Sequence, residues 1–138
     1  MGITIVGLGP GDGRYLTREA WDTLTQAAEI WLRTAKHPAV DDLPIELKRQ
    51  SFDHLYEQAA EFDDVYNTIT QKLIELGQEG DVVYAVPGHP HVGESTVTRL
   101  QIAAQEQGVE LRFVAGLSFV EPCLTAVSYT HLTLPTKA

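Results

Sequence analysis

A loop rich in proline, glycine and histidine follows an apolar segment in the middle of the chain. The segment DVVYAV ends at residue 86, and the loop PGHPHVG occupies residues 87–93. Pro87 and Pro90 fix the backbone φ angle and remove two N–H donors. Gly88 and Gly93 allow conformations that other residues rarely adopt and let a ligand approach the backbone. The composition predicts a rigid ligand-binding wall with exposed carbonyl groups, which would select a ligand by its shape rather than by its charge. The alternative is a plain turn without a ligand.

A second glycine-rich loop, GLGPGDG at residues 7–13, also follows an apolar segment. It is not a dinucleotide-binding loop, because Asp12 stands where G-x-G-x-x-G requires its third glycine, and no lysine follows as in a P-loop. Pro10 lacks an N–H group and Asp12 is negative, so the loop suits a phosphate poorly. Carbonyl groups beside an acidic side chain favour a ligand that carries a positive charge or N–H donors, such as an amine, a sulfonium or the edge of an adenine. We expect Asp12 itself to hold the loop rather than to orient a nucleophile.

The elements that must position these loops alternate along the chain. Apolar segments predict strands at residues 3–8, 30–34, 82–86 and 110–114. Helical spacing predicts a helix capped by Thr17, helices at residues 63–78 and 95–107, and the start of another helix near Ser118. Residues 36–55 contain a short helix or strand that the pattern does not place. This alternation predicts an α/β fold with a mostly parallel sheet and flanking helices.

Parallel strands place their carboxyl ends at one edge of the sheet, where ligands of open α/β sheets bind. The loops at residues 7–13, 87–93 and 115–118 all leave such strand ends. We therefore expect the three loops to meet and to form one ligand site.

Other residues with chemical potential are expected to be structural. His89 and His91 are two positions apart, but no third ligand follows at a recognisable spacing, so no metal site is predicted. The remaining candidates are expected at the surface (His37 and His54) or in the core (Cys123, Trp21 and Trp31).

Composition excludes several classes of function. The formal net charge of the 138-residue chain is −9, without a basic cluster, which argues against a nucleic-acid partner. The single cysteine forms no internal disulfide and fits a reducing compartment. Neither a membrane-spanning apolar run nor a signal peptide is visible, so a cytoplasmic location is expected.

The segment VSYTHLTLPTKA at residues 127–138 contains no acidic residue in an acidic chain. It also breaks the apolar pattern that begins at Phe119. We predict a truncated N-terminal domain at residues 1–126, whose second domain is missing, and a non-native or disordered tail at 127–138 without buried helical packing. An extended tail of a complete domain is the alternative.

Three segments, in order, resemble the tetrapyrrole (corrin/porphyrin) methylase family: ITIVGLGPGDGRYLT, VVYAVPGHP and AGLSFVEPCLTA. The resemblance covers residues 2 to about 126. The second segment departs from the family pattern, since His89 replaces the usual aspartate. With the SFVEP continuation, this variant is most similar to the methylase-like domain fused to MazG-type nucleotide pyrophosphohydrolases.

The resemblance implies that S-adenosylmethionine (SAM) binds against the strand ends. Carried over by motif, the cofactor-binding residues would be Gly9, Pro10, Gly88, His89, Val92, Ser118 and Phe119. No catalytic side chain is assigned, because a sulfonium is already an electrophile and needs mainly positioning. A neutral histidine accepts a hydrogen bond through only one nitrogen, so His89 leaves two alternatives: ligand binding is altered, or this subgroup has lost methylation.

The resemblance leaves two functions open. One is a SAM-dependent methyltransferase domain that acts on a tetrapyrrole-like acceptor. The other is a non-catalytic ligand-binding or regulatory module of a MazG-type nucleoside triphosphate pyrophosphohydrolase. Either takes a small-molecule substrate, a tetrapyrrole or a nucleotide, and the full-length protein is expected to be a homodimer.

Overall fold

Five parallel strands form one sheet in the computed structural model, which describes residues 2–127. The strands are β1 (Gly2–Gly7), β2 (Glu29–Leu32), β3 (Lys48–Ser51), β4 (Val82–Val86) and β5 (Glu110–Val114). They lie in the order β3-β2-β4-β1-β5, and every pairing is parallel. The predicted α/β fold with flanking helices is therefore confirmed.

Six helices flank the sheet in the described part of the chain. They are α1 (Arg18–Gln26), α2 (Pro38–Asp41), α3 (Asp53–Gln58), α4 (Phe62–Glu79), α5 (Ser95–Gln107) and α6 (Val120–Val127). The predicted helix signals hold: the Thr17 hydroxyl accepts from the Ala20 backbone N–H at 3.0 Å, and Gly108 ends α5 in the left-handed conformation. None of the helices in residues 2–127 is long and apolar enough to cross a membrane.

The central strands β4 and β1 are buried on both faces, as their continuous apolar sequences predict. Alternate residues of each strand point to opposite faces. Ile5 and Tyr84 pack with α4 and α5, whereas Val6 and Ala85 pack with α1 and α2. Because both faces of β1 and β4 are packed, their carboxyl ends are held in place, and so are the loops that follow them.

The sequence did not locate β3, which lies in the stretch predicted to be irregular. Its residues, KRQS, are all polar, and none is fully buried. As the edge strand beside β2, β3 has few apolar contacts to make, so hydrophobic periodicity carries no signal for it.

Three expectations for single residues were wrong. Trp21 is 39% exposed rather than in the core, because α1 buries the face that carries Ala20 and Leu24. Cys123 is exposed, since α6 has no buried residue within the described range. His37 is half-buried instead of lying on the surface. His54 is exposed as expected, and Trp31 stacks on Phe52 at a centroid distance of 5.4 Å.

The predicted tail falls almost entirely outside the described residues. Val127 is the last residue of α6, and positions 128–138 lie beyond the described range.

Candidate functional site

The first two glycine loops are joined by a pair of backbone hydrogen bonds. The Gly9 N–H donates to the Gly88 carbonyl at 3.2 Å, and the Gly88 N–H donates to the Gly9 carbonyl at 2.9 Å. Both glycines have positive φ angles, 77° at Gly9 and 65° at Gly88. Only glycine adopts this conformation without strain, so the residue type is required for the two loops to meet.

The third loop, at residues 115–118, packs with its backbone directly against the backbone of the first loop. A Cβ atom added to Gly116 would lie 2.8 Å from the Gly7 Cα atom, closer than van der Waals contact allows. The Thr17 hydroxyl, which caps α1, also donates to the Ala115 carbonyl at 3.3 Å. The three loops therefore lie on one edge of the sheet, as the topology predicts.

An open cleft of about 350 Å³ lies between these loops. Its volume is at the lower end of the range for small-molecule sites, roughly 300–1,000 Å³. All seven residues expected to bind a cofactor line it: Gly9, Pro10, Gly88, His89, Val92, Ser118 and Phe119. Pro87 and Gly93, which the sequence analysis placed in the ligand-binding wall, line the cleft as well, whereas sequence reasoning missed three lining residues: Arg33, His37 and Glu94.

Three of the carbonyl groups expected to face a ligand are used within the protein. The Gly9 carbonyl accepts from the Gly88 N–H and also lies 2.9 Å from His37 Nε2. The Gly88 carbonyl accepts from Gly9, and the His89 carbonyl accepts from the Val92 N–H at 3.0 Å. The loops use these acceptors to hold their own shape, so fewer remain for a cationic ligand.

Asp12 also serves the loop, as expected. Its carboxylate accepts from the Arg14 backbone N–H at 3.0 Å and pairs with the Arg14 guanidinium at 3.1 Å. The hydrogen bond from the Arg14 side chain lowers the pKa of Asp12 below its usual value. Asp12 thus caps the short 3-10 turn at Gly13–Tyr15 and does not line the cleft.

A half-buried ion pair gives the cleft a charge that the sequence reading did not foresee. Arg33 Nε lies 3.1 Å from Glu94 Oε2, with the side chains 25% and 8% exposed. Glu94 also accepts from the Thr96 hydroxyl at 2.8 Å, and that hydroxyl lies 2.9 Å from the Tyr84 hydroxyl. This chain of polar groups connects the end of β2, the start of α5 and the middle of β4.

Burial and pairing act in opposite directions on these charges. Burial raises the pKa of the Glu94 carboxyl, and the nearby Arg33 charge and the Thr96 hydroxyl oppose it only in part. Burial disfavours the charged form of Arg33, but Glu94 and Tyr56 outweigh it and hold the pKa of Arg33 above its usual value. The pair could have been suspected, since Arg33 follows β2 and Glu94 follows the β4 loop, both at the carboxyl edge.

His89 lines the cleft, and the ring nitrogen left for a ligand is a donor rather than an acceptor. Its Nδ1 accepts the backbone N–H of His91 at 3.0 Å, so the proton of the neutral ring lies on Nε2. The neighbouring His91 ring packs on Phe113 at a centroid distance of 4.4 Å. Within residues 2–127, no group of three histidine, cysteine, aspartate or glutamate side chains could hold a metal ion.

The family model described as Tetrapyrrole (Corrin/Porphyrin) Methylases matches residues 2–134. The chain belongs to this family.

One curated relative of this tetrapyrrole methylase chain is the "Uncharacterized protein YabN" of Bacillus subtilis (strain 168). The two are 41% identical over 120 residues, which cover 86% of this chain and 24% of YabN. The chain therefore spans about a quarter of the length of this relative.

Solved structures of methyltransferases share the fold. Uroporphyrin-III-C-methyltransferase from Thermus thermophilus matches with a TM-score of 0.68 and 24% identity, over 92% of this chain and 52% of that one. Diphthine synthase matches with a TM-score of 0.70 and 20% identity, over 93% and 49%. A Thermus thermophilus uroporphyrin-III C-methyltransferase complexed with S-adenyl homocysteine matches with a TM-score of 0.59 and 19% identity, over 86% and 46%. The chain spans about half of each of these proteins.

Two predicted site residues of this tetrapyrrole methylase domain, Ser118 and Phe119, differ in whether their side chains are available to a ligand. The Ser118 hydroxyl accepts from the Val120 N–H at 3.1 Å and donates to Glu121, so it caps the start of α6. The same bond from Ser118 lowers the pKa of Glu121 below its usual value. Phe119 is 64% exposed at the rim of the cleft, and its ring is free to contact a ligand.

A larger cavity, of about 480 Å³, lies at the opposite edge of the sheet. Trp31, Gly80 and Val82 line it at the amino ends of β2 and β4. None of the three glycine loops reaches this edge, and ligands of open parallel sheets bind beyond the carboxyl ends of the strands. The smaller cleft is therefore the candidate site of the methylase domain.

Proposed function

We propose that the chain is a SAM-dependent methyltransferase domain whose cofactor binds in the cleft between the loops at Gly9, Gly88 and Ser118. The observation that carries this proposal is the meeting of three loops, distant in sequence, that bring all seven family-matched positions into one cleft. The residues present fit such a cofactor. Gly88 leaves the backbone open to close approach, and the exposed Phe119 ring offers a face for an adenine.

The chain contributes positioning rather than a reactive side chain. Bound SAM supplies an electrophilic methyl group, so the protein needs to align it with the acceptor and to exclude water. The hydrogen bonds between Gly9 and Gly88 fix the spacing of two walls of the cleft, and His89 offers an N–H to an acceptor atom of the ligand. An acceptor of the tetrapyrrole class is proposed from family membership.

A second candidate is a ligand-binding or regulatory module of a MazG-type pyrophosphohydrolase fusion, and His89 favours it. A donor at this position replaces the acceptor that an aspartate provides in the family. A site with a donor in place of an acceptor binds a different ligand atom. Such a change is consistent with the loss of methyl transfer. In either case we propose a small-molecule ligand, a cytoplasmic location and a homodimeric full-length protein.

Titration with S-adenosylhomocysteine, followed by ¹⁵N–¹H chemical shifts, tests the cofactor site. NMR detects weak as well as tight binding, which matters because an open cleft buries only part of a ligand of this size. We expect saturable shifts at the Gly9, Gly88 and Val92 amides, with no change at the Lys48 amide of β3. Saturating binding without shifts at the loop amides would move the site elsewhere, and no saturable shift at all would contradict cofactor binding by this chain.

A further inference from the structure

Arg33 reaches the cleft from the end of β2 and is held there on two sides. Its backbone N–H donates to the Ala85 carbonyl at 3.0 Å, which extends the pairing of β2 with β4 by one residue. Its buried Nε faces the Glu94 carboxylate. The hydroxyl of Tyr56, itself buried, adds to the stabilisation of the Arg33 charge. The guanidinium is therefore oriented before any ligand arrives.

The terminal nitrogens of this guanidinium are available to a ligand. Glu94 occupies the Nε side and the Tyr56 hydroxyl lies beside the guanidinium, so the remaining N–H donors are the ones that can serve a ligand. Nε is sequestered from solvent, whereas a quarter of the side chain is exposed where it lines the cleft. Nη1 and Nη2 carry four N–H donors, and a pair of them suits a planar anionic group.

A second donor points to the same ligand chemistry. His89 also lines the cleft, and its Nε2 carries the ring proton because its Nδ1 is used by the His91 backbone. The one carboxylate among the described lining residues belongs to Glu94, which is 8% exposed and already bound to Arg33 and Thr96. The carboxylate is thus less exposed than the guanidinium, and the cleft offers a ligand N–H donors and a cation.

We propose that Arg33 binds a carboxylate group of the ligand, with Glu94 as the residue that positions its guanidinium. A carboxylate matches the fork of an arginine and accepts two parallel charge-assisted hydrogen bonds. The inference rests on the proposed function in one respect: the carboxylate belongs either to the methionine part of SAM or to the methyl acceptor. A lysine at position 33 would keep the charge and lose the fork.

The test follows the Arg33 Nε–H resonance of the complete chain during titration with three probes: S-adenosylhomocysteine, 5′-methylthioadenosine, which lacks the carboxylate, and propionate. Arg33→Lys is compared with the parent, and Arg99→Lys is the control because Arg99 pairs with Asp63 on the surface. Sodium chloride at equal ionic strength controls for screening.

If the carboxylate belongs to SAM, Arg33→Lys lowers S-adenosylhomocysteine affinity by about tenfold or more and leaves methylthioadenosine affinity unchanged. If it belongs to the acceptor, S-adenosylhomocysteine affinity is unchanged, while propionate shifts the Arg33 resonance saturably in the parent and the shift is lost in Arg33→Lys. Both results support the carboxylate site, and they distinguish its source.

The proposal is overturned if the Arg33 resonance responds neither to S-adenosylhomocysteine nor to propionate beyond the chloride control. Its failure differs from failure of the proposed function. A propionate response without nucleoside binding would retain the carboxylate site and remove the methyltransferase assignment. If both nucleosides bind with equal affinity and Arg33 does not respond to propionate, the methyltransferase assignment is retained and the carboxylate site at Arg33 is removed.

Discussion

The imidazole of His37 donates its Nε2 proton to the Gly9 carbonyl at 2.9 Å, while its Nδ1 accepts the backbone N–H of Ala39 at 3.1 Å. One ring thus caps α2 and fixes the glycine loop that forms a wall of the cleft. The bond from Ala39 requires the neutral ring, because a protonated Nδ1 would direct an N–H against the N–H of Ala39, whereas the bond to Gly9 is compatible with either protonation state. The geometry couples the shape of the cleft to the protonation state of His37.

Acidification is expected to weaken the fold through His37. Burial lowers the pKa of His37, the charge of Arg33 lowers it further, and the bond to Gly9 opposes them only in part. Two carboxylates of this region are bound to other groups, Asp12 to Arg14 and Asp42 to the Gly13 N–H. Because the folded pKa is below the unfolded value of about 6.5, this contribution is complete above that pH and is lost as the pH falls through the folded pKa.

Urea unfolding between pH 5 and 8 measures this effect. Asparagine at position 37 can still cap α2 but cannot reach Gly9, so the His37→Asn protein should lose less stability on acidification than the parent. We expect a difference of at most about 1 kcal/mol, since the ring is only half-buried. His54→Asn, at an exposed histidine, should retain the parent slope. Equal slopes for the parent and His37→Asn would refute the coupling.

Gly116→Ala should strongly destabilise the domain. Its new methyl group would meet the backbone of Gly7 at 2.8 Å, where strands β1 and β5 end together. Overpacking of this kind costs about 1–3 kcal/mol, and backbone neighbours cannot move as a side chain can. Thermal unfolding measures the loss. Gly80→Ala is the control, because nothing lies within 4 Å of its new Cβ atom; equal stability of the two variants would show that the junction tolerates a side chain.

Gly88→Val should separate backbone strain from blockage of the cleft. Gly88 and Gly108 have φ angles of 65° and 69°, so valine at either position is strained to a similar extent, by about 1–2 kcal/mol. Only Gly88 lines the cleft. In titrations of folded protein, S-adenosylhomocysteine binding should disappear in Gly88→Val and persist in Gly108→Val. Undiminished binding by Gly88→Val would remove this loop from the site.

Phe119→Ala should reduce ligand affinity with little loss of stability. The ring is 64% exposed, and surface substitutions usually change stability by less than about 0.5 kcal/mol. Stacking of a base on an aromatic ring contributes about 1–3 kcal/mol, so S-adenosylhomocysteine affinity should fall about fivefold or more. Ile102→Ala, at a residue 58% exposed on α5, is the matched control. Equal affinities of the two variants would exclude stacking on Phe119.

The fold could be predicted wherever burial leaves a pattern in the sequence. Strands β1 and β4 lie between two layers of helices, so both of their faces are apolar and the runs are visible. Strand β3 was missed because an edge strand of four polar residues has no such pattern. Cys123 and Trp21 were misplaced for a related reason: an apolar side chain in a helix does not reveal which face of that helix is covered.

The candidate site could be predicted in outline and not in its chemistry. Topology brings the three loops together, which requires only the order of strands and helices. The Arg33–Glu94 pair joins residues far apart in sequence, and the orientations of His37 and His89 depend on single backbone N–H groups. Such contacts exist only after the chain has folded, so residue types and spacing did not reveal that the Gly9, Gly88 and His89 carbonyl groups are engaged within the protein, or that Arg33 brings a cation to the cleft.

The order of the strands also determines at which stage of folding the cleft can form. Strand β1 pairs with β4 and β5, and Ile3 meets Val82, about eighty positions away in sequence. Closing so long a loop costs conformational entropy before any contact repays it, so we expect the central pairing to form late in folding. The bonds between Gly9 and Gly88 cannot precede it. A ligand of the cleft therefore stabilises only the finished sheet, and gives no advantage to a nascent or partly folded chain in which β1 still lacks its neighbours.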